Sequence, residues 1–319
     1  MRVLITGAAG FVGRHLAEYC ASQGATVVGA GRRPKMTIEP FEALDTYVSV
    51  DLLDANETEQ AIRTAEADRV FHLAAQASVT DSWEEPDGAI RDGLQITLNV
   101  LEAIRRNTPD ARLLFAGSGE EYGRPEKLPI DEQQPLRPQS PYAMGKAAGD
   151  LAAGFYADAH GLHVVRTRAF NHAGPGQSDT YVVASFARQI AEAEAAGQSR
   201  VDVVTGNLTT RRDFTDVRDV VKAYWLALEK CEPGAYNVAS GDAIPIERIL
   251  DGLTLRAHVD VGHTTDPSLV RENEVPDAAG SSARLREVTG WRPELALQQT
   301  LTDTLDWWRK QMKSEGQSA

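Results

Sequence analysis

The sequence has 319 residues and 42% apolar residues, enough for one large domain or two joined domains with a substantial core. Its formal net charge of −13 argues against a surface for nucleic acid or an anionic membrane, because basic faces bind phosphate backbones. The two cysteines, Cys20 and Cys231, are far apart, and the seven histidines show no HxxxH or HExxH spacing. We therefore expect buried thiols and no metal site.

The chain begins with a short apolar run, MRVLIT, that leads directly into a glycine turn. This run predicts a strand, since it is too short for a signal peptide. No window approaches the ~20 apolar residues that a membrane span requires. The expected location is cytoplasmic.

Short β-branched runs then alternate with longer helical patterns. In chain order they are RVLITG, FVGRHLAEYCASQG, ATVVGAG, DRVFHLAA, NVLEAIRRN, ARLLFAGS and HVVRTRAFN. Such alternation indicates an α/β fold in which helices cover both faces of a doubly wound parallel sheet, the Rossmann arrangement.

The alternation ends near residue 172, at the loop HAGPGQSD. Later segments mix helix, short strands and prolines, while FTDVRDVVKAYWLAL and GAYNVAS suggest a return to the first sheet. We predict a dinucleotide-binding domain at 1–170 and 213–242, and a smaller C-terminal α/β substrate-binding domain at 171–212 and 243–319. The ligand cleft should lie at the carboxyl ends of the strands.

The turn TGAAGFVG joins the first predicted strand to the first helix. Glycines there allow the backbone to approach a pyrophosphate, and a helix N-terminus offers free N–H groups and a partial positive charge. The spacing is GxxGxxG, and its position between strand and helix supports a dinucleotide site. The predicted contacts are Gly7, Gly10, Phe11, Val12 and Gly13.

The end of the second strand indicates which dinucleotide is bound. NAD-binding proteins usually place an acid there, whereas this chain has Gly31, Arg32 and Arg33. An arginine suits a 2′-phosphate, so Arg32 and Arg33 favour NADP(H), with NAD(H) possible. Asp51 and the adjacent Leu52, after the third strand, are candidates for the adenine edge.

A tyrosine and a lysine four residues apart, Tyr142 and Lys146, share one face of the predicted helix in SPYAMGKAAGDLAAGFY. Upstream, GSGEEYG brings Ser118 and Glu120 to the end of another strand. A lysine charge about 7 Å away, at an effective dielectric of ~20, would favour the phenolate by roughly 2.4 kcal/mol. Tyr142 could then exchange a proton while Ser118 hydrogen-bonds the reacting oxygen.

Together TGAAGFVG, HLAA, GSGEEYG and SPYAMGK resemble the extended short-chain dehydrogenases, which include nucleotide-sugar epimerases, dehydratases and reductases. The resemblance covers almost the whole chain. It implies catalytic roles for Ser118, Tyr142 and Lys146, with Lys146 also holding the nicotinamide ribose. It further implies that the cofactor contacts include the residues Leu73, Ala74, Ala75, Tyr142 and Lys146.

The second half is similar to the GDP-mannose branch of that family, through FNHAGPGQ, GNLTTRRDFTDVRDVVKAYW and VRENEVPDAAGSSARLREVTGWRP. This resemblance implies a GDP-sugar as the favoured substrate. The chemistry agrees, since guanidinium groups pair with phosphates and a carboxylate accepts from ribose hydroxyls. The resemblance implies substrate binding by Asn171, Val183, Asn207, Arg212, Arg271 and Glu274.

This chain departs from the family pattern at two positions. Glu272 replaces a proline in the nucleotide loop. Gly93 stands where the family commonly has an asparagine that braces the catalytic strand, so another group must satisfy that backbone.

Three functions remain open at this point. The form of FNHAGPGQ favours an NADPH-dependent reductase of a 4-keto-6-deoxy sugar. Glu120 leaves open a GDP-mannose 4,6-dehydratase, since in sugar dehydratases a carboxylate at this place acts as base at C5. Another nucleotide-sugar dehydratase or epimerase also remains an alternative. A non-catalytic NADP-sensing protein is the third, although such proteins generally lose the tyrosine or lysine.

The same helix bears on oligomeric state. Its many alanines and glycines would let a helix of a second subunit approach closely, or would pack inside the subunit. Related enzymes often dimerise through this helix and the one before it, so a homodimer is expected.

Overall fold

The computed structural model describes residues 1–33, 42–75, 79, 81–270 and 275–318. The helices in these ranges are α1 (Phe11–Ser22), α2 (Ala55–Ala65), α3 (Pro86–Asn107), α4 (Pro141–His160), α5 (Val182–Ala195), α6 (Val217–Lys230), α7 (Glu247–Thr254), α8 (Ala283–Thr289) and α9 (Leu297–Ser318). The strands are β1 (Arg2–Thr6), β2 (Thr26–Gly31), β3 (Thr46–Ser49), β4 (Arg69–His72), β5 (Arg112–Ser118), β6 (Val164–Ala169), β7 (Asn171–Ala173), β8 (Arg200–Thr205), β9 (Arg211–Asp216), β10 (Gly234–Val238), β11 (Ala243–Pro245), β12 (Asp260–Thr265) and β13 (Asp277–Ala278).

The main sheet within these residues has seven parallel strands in the order β10-β6-β5-β4-β1-β2-β3. The strand order reverses between β1 and β4, which is where a doubly wound sheet opens its ligand crevice. The predicted fold class, a doubly wound parallel sheet, is confirmed.

Alternate residues of each strand fill the two faces of this sheet. Val3 and Ile5 join one buried cluster with α1 and α6, whereas Leu4 joins a second cluster with α2, α3 and α4. The buried free thiols of Cys20 and Cys231, as the sequence predicts, belong to the first cluster. Apolar cores on both sides hold the carboxyl ends of the strands at one edge.

The later residues form smaller sheets. Strand β9 pairs with β11, β13 and β7, and β8 pairs with β12. A third buried cluster lies among α5, α7 and α9. Strand β10, the predicted GAYNVAS segment, returns to the main sheet beside β6. No helix in the described ranges has both the length and the apolar character that a bilayer crossing demands.

A buried histidine, His72 at the end of β4, connects β1 to α3. Its Nδ1 lies 2.8 Å from the Thr6 hydroxyl, and its Nε2 lies 3.3 Å from the Thr97 hydroxyl. Because Thr97 already donates to the Gly93 carbonyl, it accepts from Nε2–H, and this pairing assigns the neutral tautomer. Burial, reinforced by the charge of Lys146, lowers the pKa of His72 to about 3.

The lowered pKa of His72 predicts acid sensitivity. The unfolded chain takes up a proton below its ordinary pKa of 6.5, but the folded protein does not until about pH 3. Stability is therefore lost as the pH falls through this window, by about 2 kcal/mol between pH 7 and pH 5. Urea unfolding at pH 7 and at pH 5 measures the free energy of unfolding. The decrease in this free energy between the two pH values should be smaller in His72→Gln than in the wild type, by about the same 2 kcal/mol.

The exposed His263 on β12 offers a matched control. His263→Gln should keep the wild-type dependence of unfolding free energy on pH. A His72→Gln protein with the same pH dependence as the wild type would contradict the lowered pKa of His72.

Candidate active site

The glycine turn between β1 and α1 is shaped for a close backbone approach. Gly7 adopts a φ of +75°, which favours glycine. A Cβ on Gly13 would lie 2.3 Å from the Gly7 carbonyl oxygen and 2.7 Å from the Ala8 Cα, so only glycine lets the helix begin against the turn. Gly10, which precedes α1, has no side chain to cap the first N–H groups of the helix, at Phe11 and Val12. This cradle fits an anionic diphosphate.

The other predicted cofactor residues lie along the same edge of the sheet. Arg32 and Arg33 follow β2 directly and are exposed. Asp51, after β3, is exposed and accepts from the Leu53 N–H at 3.1 Å. The turn after β4 is adjacent, since a Cβ on Gly7 would lie 3.0 Å from the main-chain nitrogen of Ala74. Of the remaining residues, Leu52 is buried, whereas Leu73, Ala74 and Ala75 are partly exposed.

The predicted catalytic residues meet at the end of β5. Ser118 ends this strand, and its hydroxyl accepts from the Glu120 N–H at 3.2 Å. Tyr142 and Lys146 lie in the first turns of α4, and a hydrogen bond from Ser118 acts on the phenol of Tyr142. The Lys146 amine donates to the Ala116 carbonyl of β5 at 2.6 Å. Strand and helix thus place hydroxyl, phenol and amine together, as a proton-transfer site requires.

The pKa of Tyr142 lies above its ordinary value of 10, mainly because the phenol is buried. The neighbouring Tyr181, Glu120 and Glu121 raise it further, and the hydrogen bond from Ser118 lowers it. The sequence-based prediction of a lowered pKa for Tyr142 is wrong for the protein alone. Burial dominates, and it also lowers the pKa of Lys146 itself to about 8. The phenol is therefore protonated at neutral pH.

Glu121 is a buried carboxylate that the sequence analysis did not single out. Its Oε1 accepts from the Ser118 N–H at 2.7 Å, and its Oε2 lies 3.5 Å from Nε of Arg168. Arg168 in turn donates to both carboxylate oxygens of Asp150, at 3.0 and 2.9 Å. Asp150 lies on α4 four residues beyond Lys146, so this chain of contacts connects the end of β5 to α4. In the sequence, the spacing of positions 142, 146 and 150 indicates that Asp150 shares one helix face with Tyr142 and Lys146.

Glu121 and Lys146 influence each other. Burial raises the pKa of Glu121 to about 8, and the Lys146 charge opposes that rise. The negative charge of Glu121 likewise raises the pKa of Lys146 against the effect of burial. Each ionised group therefore stabilises the charge of the other.

The departure at Gly93 is explained by packing between helices. A Cβ on Gly93 would lie 3.2 Å from the Cα of Gly145 on α4, leaving no room for a longer side chain without movement. A small cavity of about 10 Å³ lies between these glycines, Thr97 and the Tyr142–Lys146 pair. On β5, the carbonyl of Ala116 accepts a hydrogen bond from Lys146.

The residues predicted to bind substrate differ in exposure and in hydrogen bonding. Asn171 is exposed at the start of β7, and the Asn207 side-chain oxygen accepts from the Thr209 N–H at 3.0 Å. Arg212 donates to the Val275 carbonyl at 2.7 Å. The Val183 side chain is buried among α5, α7 and α9, which leaves the predicted contact to its main chain. The predicted substrate residues Arg271 and Glu274 lie outside the described part of the chain, as does Glu272 of the same loop.

The sequence is similar to a known protein family and to a characterised relative over almost its whole length. The family GDP-mannose 4,6 dehydratase matches residues 4–304. The GDP-6-deoxy-D-mannose reductase of Pseudomonas aeruginosa is 34% identical, with 98% of this chain and 99% of the relative covered.

Two solved structures are similar over nearly their whole length. RMD from Pseudomonas aeruginosa complexed with NADPH has a TM-score of 0.84 at 32% identity, covering 98% of this chain and 100% of that one. The UDP-glucose 4-epimerase of Thermus thermophilus, in complex with NAD, also has a TM-score of 0.84, at 33% identity, covering 97% and 99%. The resemblance predicted from the sequence motifs is confirmed.

The coupling of Glu121 and Lys146 predicts a titration shift. In Glu121→Gln the amide oxygen can still accept from the Ser118 N–H, but the negative charge is lost. Lys146 should then lose its proton at a lower pH, because the charge that opposes the effect of burial is gone. Competitive acetylation of lysine amines as a function of pH, read by mass spectrometry, measures this midpoint.

Glu229→Gln is the matched control, since Glu229 pairs with Arg69 at the opposite end of the sheet. It should leave the Lys146 midpoint unchanged. A folded Glu121→Gln protein whose Lys146 midpoint equals that of the wild type would refute the coupling.

Proposed function

Because the chain belongs to the GDP-mannose 4,6-dehydratase family of the extended short-chain dehydrogenases, we propose that it is an NADPH-dependent nucleotide-sugar reductase. It would reduce the C4 ketone of GDP-4-keto-6-deoxymannose to GDP-rhamnose or its C4 epimer. The observation that carries the proposal is the meeting of Ser118, Tyr142 and Lys146 at the end of β5. The similarity to a GDP-6-deoxy-D-mannose reductase over nearly the whole chain supports the substrate class.

NADPH, when bound, supplies a hydride to the ketone carbon. The main chain from Gly7 to Gly13 would hold its diphosphate, and Lys146 would hold the nicotinamide ribose. Arg32 and Arg33 are free to approach a 2′-phosphate, since both are exposed at the end of β2. NAD(H) remains the alternative cofactor.

Tyr142 would supply the proton. As the ketone carbon gains a hydride, the phenol transfers its proton to the carbonyl oxygen, and the product is an alcohol. Ser118 would donate a hydrogen bond to the same oxygen. The raised pKa of Tyr142 suits this direction, because reduction needs the protonated phenol.

The dehydratase is the second candidate, and Glu120 favours it. Its carboxylate lies close enough to Tyr142 to raise the pKa of the phenol, where a base at C5 would be needed. A dehydratase must first oxidise an alcohol, however, and that step needs the phenolate, which the raised pKa opposes. We therefore rank the reductase first, and a non-catalytic NADP-sensing protein last.

The same proposal includes a cytoplasmic location, two domains with the boundaries given above, and a homodimer. Gly145 and Gly149 of α4 pack against α3 and β5 inside the subunit, so the small residues do not form the outer face. That face instead presents Met144, Leu151 and Phe155, which are 46, 62 and 60% exposed. They share one helix face, and a second copy of the chain would bury them.

A turnover assay tests the proposed reaction. Mixed with GDP-4-keto-6-deoxymannose and NADPH, the protein should consume NADPH in proportion to a 4-hydroxyl sugar, identified by NMR. Tyr142→Phe should lower the rate by about 10²–10⁴-fold while NADPH still binds, because only the proton donor is removed. Loss of NADPH absorbance and a cofactor titration measure the two effects.

The competing functions give different results. Formation of a 4-keto sugar from GDP-mannose with catalytic NADP, abolished in Glu120→Gln, would identify the dehydratase. Under the reductase proposal Glu120→Gln keeps ketone reduction. NADPH binding with no turnover of either sugar would favour the sensing protein.

Substitutions on the outer face of α4 test the homodimer. Leu151→Glu combined with Phe155→Glu should yield a monomer, because two charges per subunit would have to be buried at the interface. Light scattering coupled to size exclusion measures the mass. Leu255→Glu, at a position 84% exposed after α7, should leave the dimer intact. A monomeric wild type would contradict the proposal.

A further inference from the structure

A tyrosine on β3, Tyr47, lies across two glycines of β2. Gly29 and Gly31 are two residues apart and therefore face the same side of the sheet. A Cβ on Gly29 would lie 3.0 Å from Cδ2 of the Tyr47 ring, and a Cβ on Gly31 would lie 2.9 Å from its hydroxyl oxygen. The ring thus runs along β2 toward its carboxyl end, and both glycines make room for it.

The hydroxyl of Tyr47 stands where a side chain at position 31 would stand. This is the end of β2, where an acid binds the ribose hydroxyls in NAD-dependent proteins. Gly31 carries no acid, and one would collide with the Tyr47 hydroxyl. At this place, the chain therefore has the neutral hydroxyl of Tyr47 where NAD-dependent proteins have a carboxylate that accepts hydrogen bonds.

The Tyr47 hydroxyl has no hydrogen-bond partner within the described ranges, although the residue is only 9% exposed. Leaving a buried hydroxyl without a partner is costly, so its presence needs an explanation, and a ligand that binds beside it would supply one. The Arg33 charge lies close enough to act on the phenol. A hydroxyl donor and a cation therefore both lie near the end of β2, a combination that suits a phosphate.

We propose that Tyr47 is a specificity-determining residue for NADP(H). Its ring excludes an acid from position 31, and its hydroxyl donates to the 2′-phosphate beside Arg33. This inference rests on the cofactor part of the proposed function and on no step of the sugar chemistry.

Cofactor binding without any sugar tests the inference. Fluorescence titration of the full chain with NADPH and with NADH gives the ratio of the two affinities. Tyr47→Phe should weaken NADPH about tenfold, through loss of one hydrogen bond to a charged group, and leave NADH unchanged. Tyr156→Phe, which removes a phenol bonded to Glu102 in another part of the fold, should change neither.

A second pair of variants tests the steric part. Gly31→Asp should lower the thermal midpoint in the wild type, because of the hydroxyl 2.9 Å away. In a Tyr47→Phe background the nearest ring carbon is 3.9 Å from the new Cβ, so the same substitution should cost less and shift the ratio toward NADH.

The outcomes separate this inference from the proposed function. A wild type that prefers NADPH, with the same ratio in Tyr47→Phe, would overturn the inference alone. If Gly31→Asp destabilised the wild type and the Tyr47→Phe protein equally, the claim that Tyr47 excludes an acid from position 31 would be overturned. A wild type that binds neither cofactor would overturn the proposed function as well.

Discussion

Five ionisable side chains occupy the interior between β5, β6 and α4, and the active site depends on how they compensate one another. Asp150, fully buried, accepts from Arg166 and from Arg168, while Glu121 lies between Arg168 and Lys146. Removing one member of such a group leaves a buried charge without compensation, at a cost of about 3–5 kcal/mol. Because Glu121 also holds the main chain of Ser118, the serine and the lysine share one electrostatic framework.

The sequence predicted what periodicity and motif position determine. Alternation of short and long segments indicated the parallel sheet, and parallel strands end at one edge, so Ser118 and Tyr142 could be placed together from chain order alone. Burial could not be obtained in this way. The pKa of Tyr142 moved opposite to the prediction because desolvation outweighs the distant charge that the sequence supplied. Likewise, the sequence did not show whether the small residues of α4 face a second subunit or the interior. Their neighbours on α3 show that Gly145 and Gly149 pack inside the subunit.

A chain with a net charge of −13 must bind an anionic cofactor against its own field. In the proposed site, short-range groups would meet this requirement. Main-chain N–H groups and the partial positive charge at the start of α1 act over one helical turn, and Arg32 and Arg33 would add full charges at one end of that site. Such contacts act within a Debye length and are little affected by distant carboxylates. Local geometry, more than net charge, therefore determines which anions bind.

The position of β10 has a consequence for biosynthesis. This strand pairs with β6 but is made only after the residues that form β7, β8 and β9. A β6 that joined the sheet before β10 was made would have no partner at its outer edge, and unpaired main-chain groups at such an edge can template association with other chains. A nascent chain released before residue 238 would keep that edge exposed. The segment between β6 and β10 thus sets how long the growing protein needs protection from its neighbours.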